Sequence, residues 1–269
     1  MPTDALTVSL HRLKLALRAL DLGGRPVLAH ASLSAFGQVE GGAPTVAQAL
    51  VEALGRVMMP THTYKTMVTP RDGPPDNGIT YGAMQDLNRM AEFWSPDMPA
   101  DRLMGAIPEA LRLYPGAKRS MHPILSFAGV GVDDALAAQT LDEPLAPIGV
   151  LSKQNGWVLL MGVNHTVNTA IHYAEKLAKR RQFIRWALTE QGIVACPGFP
   201  CCSAGFQAIE PDVAAATRTA RVGNAILRAV PMADLFYAVI ERLRHNPRDL
   251  LCSDPDCERC NQIRKTPRR

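Results

Sequence analysis

Apolar runs and helical-period stripes alternate along most of this chain. Residues 4–20 carry apolar side chains at helical spacing, with Thr3 or Asp4 placed to cap a helix and Gly23-Gly24 to stop it. Residues 26–29 read as a short strand. Residues 45–54 predict a helix entered through Pro44, and residues 57–59 a second strand closed by Pro60. Farther along, 104–114 predict a helix, 124–127 a strand and 133–138 a short helix. Residues 157–163 form an apolar run between Gly156 and Gly162 that reads as a buried strand, and helix formers follow as far as Lys179. Residues 183–189 read as an edge strand, and 212–230 and 232–244 as two helices split at Pro231. No repeat interrupts this order, which predicts an α/β sheet with functional loops at its strand ends.

Periodicity is lost between residues 64 and 102, where prolines stand at 70, 74, 75, 96 and 99. A loop that long is usually functional or disordered. Tyr64, Tyr81, Phe93 and Trp94, with Asp86, Glu92, Asp97 and Asp101, suit the wall of a pocket for a polar cation; a solvent-exposed insertion is the competing reading.

Composition narrows the class. The hydrophobic fraction of 47% and charged fraction of 20% are those of an ordinary globular protein. No apolar run is long enough to cross a bilayer and the N-terminal residues lack a signal-peptide pattern, so a cytoplasmic protein is expected. The net charge of +4 resides in the tail, where Arg259, Arg264, Lys265, Arg268 and Arg269 stand against Glu258. The remaining body is neutral, which argues against a nucleic-acid surface. All six cysteines lie in the last third of the chain. Without a secretory signal, free thiols are the preferred reading. The Cys252-x4-Cys257-x2-Cys260 array also fits structural zinc, with Cys201, Cys202 or His245 as a fourth ligand.

The candidate chemistry sits at the mouth of the 168–179 helix. Asn168, His172 and Glu175 share one face there, and His165 lies just before them. Two imidazoles, an amide and a carboxylate beside a strand end make an acid–base site. His165, His172 and Glu175 could alternatively serve as ligands in a metal-dependent hydrolase. His62 and His122 read as loop residues bonded to backbone.

Four stretches occur in the order and approximate spacing of a known family. They are His30-Ala-Ser-Leu-Ser-Ala-Phe-Gly with Val39-Glu-Gly-Gly-Ala-Pro-Thr, Met59-Pro-Thr-His-Thr, Met104-Gly-Ala-Ile-Pro-Glu to Arg119-Ser-Met-His-Pro, and residues 161–175. Together they resemble the aminoglycoside 3-N-acetyltransferases, the antibiotic N-acetyltransferase family, over roughly residues 4–245. The resemblance implies a single compact α/β domain over residues 1–250, with a mixed central sheet flanked by helices, and a cysteine-containing basic tail over 251–269. It implies a fold unlike that of the Gcn5-related enzymes, whose pyrophosphate loop this chain lacks.

The resemblance further implies acetyl transfer from acetyl-coenzyme A to the 3-amino group of a 2-deoxystreptamine ring, or to another cationic amine. His172 matches the family's catalytic histidine, and Glu175 would orient it, with His30, His165 and Asn168 as support. Ser32, Leu33, Ser34, Gly41, Gly42, Thr63, Arg119 and Ser120 fall in segments that line the cofactor in the family. The Ser32 or Thr63 region would supply oxyanion donors. Glu210, Asp212 and Asp97 are candidates for the ammonium groups of the substrate. No resident metal, membrane or nucleic-acid partner is implied, and the oligomeric state, a homodimer included, is left open. The run from residue 164 to 168 is Asn-His-Thr-Val-Asn where the family more often has Gly-His-Asp-Arg-Asn, so an acid and a base near the site are missing here.

Overall fold

A computed structural model of the protein describes residues 7–83 and 85–265. The chain runs α1 (Leu10–Ala19), β1 (Val27–Ala31), α2 (Gly42–Leu54), β2 (Val57–Pro60), β3 (Met67–Val68) and α3 (Gln85–Asn88). It continues through α4 (Ala106–Arg112), β4 (Lys118–Arg119), β5 (Phe127–Val130), α5 (Asp133–Ala137), α6 (Ala146–Lys153), β6 (Trp157–Met161) and α7 (Thr169–Leu177). The last third comprises β7 (Phe183–Thr189), β8 (Gly192–Phe199), α8 (Glu210–Val213), β9 (Arg218–Val222), β10 (Ala225–Pro231), α9 (Met232–His245) and α10 (Glu258–Lys265).

Seven strands form the main sheet in the order β4-β5-β2-β1-β6-β10-β9. Its centre is parallel: β1 pairs with β2 and with β6, so that Val27 lies opposite both Val57 and Trp157. The outer strands β5 and β10 run antiparallel to their neighbours. Both faces of the three central strands are covered, which is why they read as unbroken apolar runs. Val27, Ala29, Val57, Met59, Leu159 and Met161 pack on one face with α1, α2 and α4. Leu28, Met58, Val158 and Leu160 pack on the other with α5, α6, α7 and α9.

Several elements depart from the expectations above. The first helix begins at Leu10, capped by Ser9, because Val8 forms a parallel bridge with Val39 instead; the Thr3 or Asp4 cap falls outside the described residues. The strand expected at 124–127 starts at Phe127, since Ile124 and Leu125 wrap round His122 and donate their N–H groups to its Nδ1. Residues 183–189 are not an edge strand: β7 lies between β3 and β8 in a separate three-stranded sheet. The helix expected over 212–230 is instead one turn of α8 followed by the β9–β10 hairpin. Gly223 makes that hairpin turn at φ +56°, with its backbone so close to Phe36 that a Cβ would meet the Phe36 carbonyl oxygen at 2.3 Å. Alternate burial along β10 then replaces the helical period.

The aperiodic 64–102 stretch is an ordered cover on the small sheet. The Trp94 N–H donates to the Leu188 carbonyl at 2.9 Å, and the Asp101 N–H to that of His62 at 2.8 Å. Residues 252–265 are folded as well. Cys252, Cys260 and Ile263 are buried with Phe183, Ala187, Cys196 and Phe199 in a third apolar cluster.

Candidate active site

The carboxyl ends of β1, β2 and β6 deliver residues 30–34, 60–64 and 163–169 to one rim of the sheet. In an open α/β sheet this is where ligands bind. A cavity of about 580 Å³ opens there, closed on its other sides by 103–108, 199–203 and Arg259. His30, His62 and His172 all face it, with Ser32, Ser34, Tyr64 and Asn168.

His172 lies in the first turns of α7, 8% exposed, with its ring edge-on to Phe206 at 4.7 Å. Its Nδ1 is 2.9 Å from Glu175 Oε2. Glu175 is buried and in turn ion-paired with Arg180, whose Nη2 donates to the carbonyls of Pro247 and Asp249 at 2.9 and 2.6 Å. The carboxylate thus fixes the tautomer with the proton on Nδ1, which leaves Nε2 as an acceptor for a ligand. The Glu175–Arg180 pair holds one charge against another at a site closed to water. Removing one partner of such a pair costs about 3–5 kcal/mol. Arg180→Ala should therefore lower the urea midpoint strongly, and a midpoint like that of wild type would show the pair to be solvated.

The other imidazoles serve the fold of the site. His30 Nε2 accepts from the Thr169 N–H at 3.4 Å, satisfying a free donor at the start of α7. Burial and the nearby His165 ring hold its pKa down at about 3, so it stays neutral. Asn168 caps the helix through Oδ1, accepting from Ala170 N–H at 3.1 Å, which orients its Nδ2 toward His165 Nδ1 at 3.1 Å. His165 is buried behind the cap and held at about 4, chiefly by burial. His62 donates from Nδ1 to the Ser126 carbonyl at 3.2 Å, and burial keeps it at about 3.

Of the residues expected at the cofactor, Ser32, Leu33 and Ser34 line the cavity, the two serine hydroxyls 3.0 Å apart. Gly41 and Gly42 lie at the start of α2, away from the cavity lining. Gly41 takes φ +68°, and a Cβ there would stand 2.5 Å from Thr45 Oγ1, so backbone geometry alone demands glycine. Thr63 is buried with its hydroxyl donating to the Pro123 carbonyl at 2.8 Å, so it offers no oxyanion donor. Ser120 Oγ accepts from the Phe127 N–H at 2.9 Å within the sheet. Arg119 is half-buried, donating to the carbonyls of Pro96 and Thr61 at 3.0 and 2.8 Å. It straps the 94–104 segment to the end of β2.

The acidic candidates lie outside the cavity lining. Glu210 bonds Gln207 and faces Arg228, Asp212 pairs with Arg242, and Asp97 is exposed. Among the described residues of the 64–102 segment only Tyr64 lines this cavity; Tyr81 packs edge-on against Trp186. The hydrolase reading is corrected by geometry. Among the described residues the donor atoms of His165, His172 and Glu175 do not gather round one point, because Asn168 and Arg180 engage two of them. Arg180 and Arg259 are the site residues that sequence reasoning missed, whereas Tyr64 was expected at a pocket wall, and His62, bonded to backbone as expected, also faces the cavity. Arg180, within a run of Lys179, Arg180 and Arg181, looks like any solvated basic helix end.

A family model described as aminoglycoside 3-N-acetyltransferase matches residues 28–244. Aminoglycoside N(3)-acetyltransferase VII of Streptomyces paromomycinus is 37% identical over 178 residues, which are 62% of this chain. The match spans only 60% of that relative's own length. Among solved structures, AAC-VIa bound to sisomicin is 29% identical with a TM-score of 0.67, over 88% of this chain and 97% of that one. AAC-IIIb in binary complex with CoASH shares the fold at 23% identity and a TM-score of 0.71, over 89% of this chain and 97% of that one. Because the family match runs from β1 to the last turn of α9, it takes in nearly the whole main sheet and His172 itself, and the chain belongs to the aminoglycoside 3-N-acetyltransferase family.

Proposed function

We propose that the chain transfers an acetyl group from acetyl-coenzyme A to the 3-amino group of an aminoglycoside, with His172 as general base. The observation that carries this reading is the His172–Glu175–Arg180 relay, which ends with one ring nitrogen at a cavity wall. An aminoglycoside amine is largely protonated near neutrality and has no lone pair until a base takes its proton. Imidazole is the side chain whose ordinary pKa suits that task. As the amine attacks the thioester carbonyl carbon, Nε2 receives the proton and Glu175 stabilises the resulting imidazolium. The carbonyl oxygen gains negative charge, and the Ser32 and Ser34 hydroxyls are the side-chain donors at the end of β1 that can meet it. Coenzyme A thiolate leaves as the amide forms.

Small residues support the placement of the thioester arm. Ala31, Ser32, Ser34, Gly105 and Ala106 leave one cavity wall low enough for a narrow chain, and Arg259 offers a cation at its edge. Direct transfer needs no acyl-enzyme, and no Gly-x-Ser-x-Gly elbow surrounds Ser32. The complexes of relatives with sisomicin and CoASH agree with this pairing of substrates. A cytoplasmic location belongs to the same reading, because acetyl-coenzyme A is available there.

The test is release of coenzyme A thiol from acetyl-coenzyme A against a panel of aminoglycosides and simple polyamines. Release that requires a 2-deoxystreptamine compound, with the product acetylated at the 3-amino group by NMR, is expected. Thiol release independent of any amine would overturn the reading in favour of hydrolysis.

A further inference from the structure

We propose that Cys202, Cys252, Cys257 and Cys260 bind one structural zinc ion. Their four Sγ atoms lie within 4.8 Å of one another, and among the described residues no other group of histidine, cysteine or carboxylate donors gathers this way. A tetrahedral zinc with Zn–S bonds of about 2.3 Å places its sulfurs roughly 3.8 Å apart, so the cluster is close to the size required. A disulfide would bring together two thiols, whereas here four converge from two segments about fifty residues apart.

The linear spacing left the fourth donor open between Cys201, Cys202 and His245, and the fold selects among them. His245 stands at the exposed end of α9 with Nδ1 on the Glu241 carbonyl at 2.8 Å. The Cys201 Sγ approaches Cys260 at 3.8 Å, yet it does not join the cluster of four. Cys202, on the loop after β8, faces the other three and accepts an N–H bond from Ala204 at 3.4 Å, the kind of donor that supports a thiolate ligand. Cys257 precedes α10 and Cys260 lies in its first turn, where the free N–H groups at the start of a helix favour negative sulfur.

Four thiolates fill a tetrahedral shell and leave no position for substrate, so the ion would be a clasp and not a catalyst. The third apolar cluster is small, and cysteines make up much of it. Small cores of this kind need a staple. The clasp would fix α10 to the loop after β8. Both reach the His172 cavity, through Arg259 from α10 and through Pro200, Cys201 and Ser203 from the loop. Arg259 Nη1 donates to the carbonyls of Pro200 and Cys201 at 3.0 and 3.1 Å, tying the same two segments together. This inference is independent of the acetyl-transfer reading.

The experiment is elemental analysis of the full chain, purified without chelators, together with cobalt substitution. About one zinc per chain is expected, and the cobalt form should show the thiolate-to-metal charge-transfer and visible bands of a tetrahedral sulfur site. Cys202→Ser should lower metal affinity by more than about tenfold, whereas Cys201→Ser should retain it. Cys202 and Cys257, both partly exposed, should resist alkylation until the metal is removed. A folded protein without stoichiometric metal, whose Cys202 and Cys257 alkylate freely or prove to be disulfide-bonded, would overturn the proposal. Loss of metal in Cys201→Ser with retention in Cys202→Ser would overturn the ligand set. If Cys202→Ser does not fold, the metal content and cobalt spectrum of the unmutated chain decide the matter.

Discussion

Replacing His172 by alanine is expected to lower kcat for acetyl transfer by at least about 10²-fold, with little change in KM or in melting temperature. The loss falls on kcat because proton removal is needed in the transition state and not for binding either substrate. The fold should survive the change. His172 lies at the cavity wall, and Glu175 keeps its partner Arg180 when the ring is gone. Glu175→Gln should also lower kcat strongly, since an amide no longer holds the proton on Nδ1 and no longer stabilises an imidazolium. Steady-state kinetics with saturating acetyl-coenzyme A measure both. A His172→Ala enzyme with an undiminished kcat would remove the residue from the chemistry.

Lowering the pH from about 6.5 to about 4 is expected to cost the protein much of its folding stability. His30 and His62 are held at about 3, and His122 and His165 at about 4, with burial the main cause in each. Three of these rings use a nitrogen as acceptor, from Thr169 N–H, from Ile124 and Leu125 N–H, and from the Asn168 amide. Protonation removes that acceptor and places a charge in the interior. Above pH ~6.5 the rings are neutral in folded and unfolded chains alike, and the stability is fully present. Below it the unfolded chain takes up protons that the folded chain refuses. Stability then falls with pH, by up to about 1.4 kcal/mol per pH unit for each ring, until the folded pKa is reached. Urea midpoints measured across this range read the slope directly. A flat profile would mean that these histidines are charged or solvated in the folded protein.

The parts of the fold that were legible share one property: their burial pattern is local. Residues 157–161 are buried on both faces and read as a strand, and the helix expected from residue 168 starts there, with Asn168 as its cap. Pro231 breaks the chain where it was expected to, immediately before α9. The failures lie where pairing partners are distant. Residues 218–231 contain enough alanine, arginine and leucine to pass for a helix, and only the β6 edge beside β10 turns them into a hairpin. The small sheet was invisible because β3 is two residues long and β8 carries a proline within it.

By itself the sequence determined the three central strands, the helix that carries His172 and Glu175, and the family to which the chain belongs, because each is written in contiguous residues. Tertiary structure alone decided that Arg180 closes the relay behind Glu175, that the Thr63 and Ser120 hydroxyls are bound to backbone outside the cavity lining, and that Cys202 is the thiol facing the other three. Those choices depend on which groups meet after the chain has turned back on itself, where a hydrogen bond or ion pair joins residues that no local spacing relates.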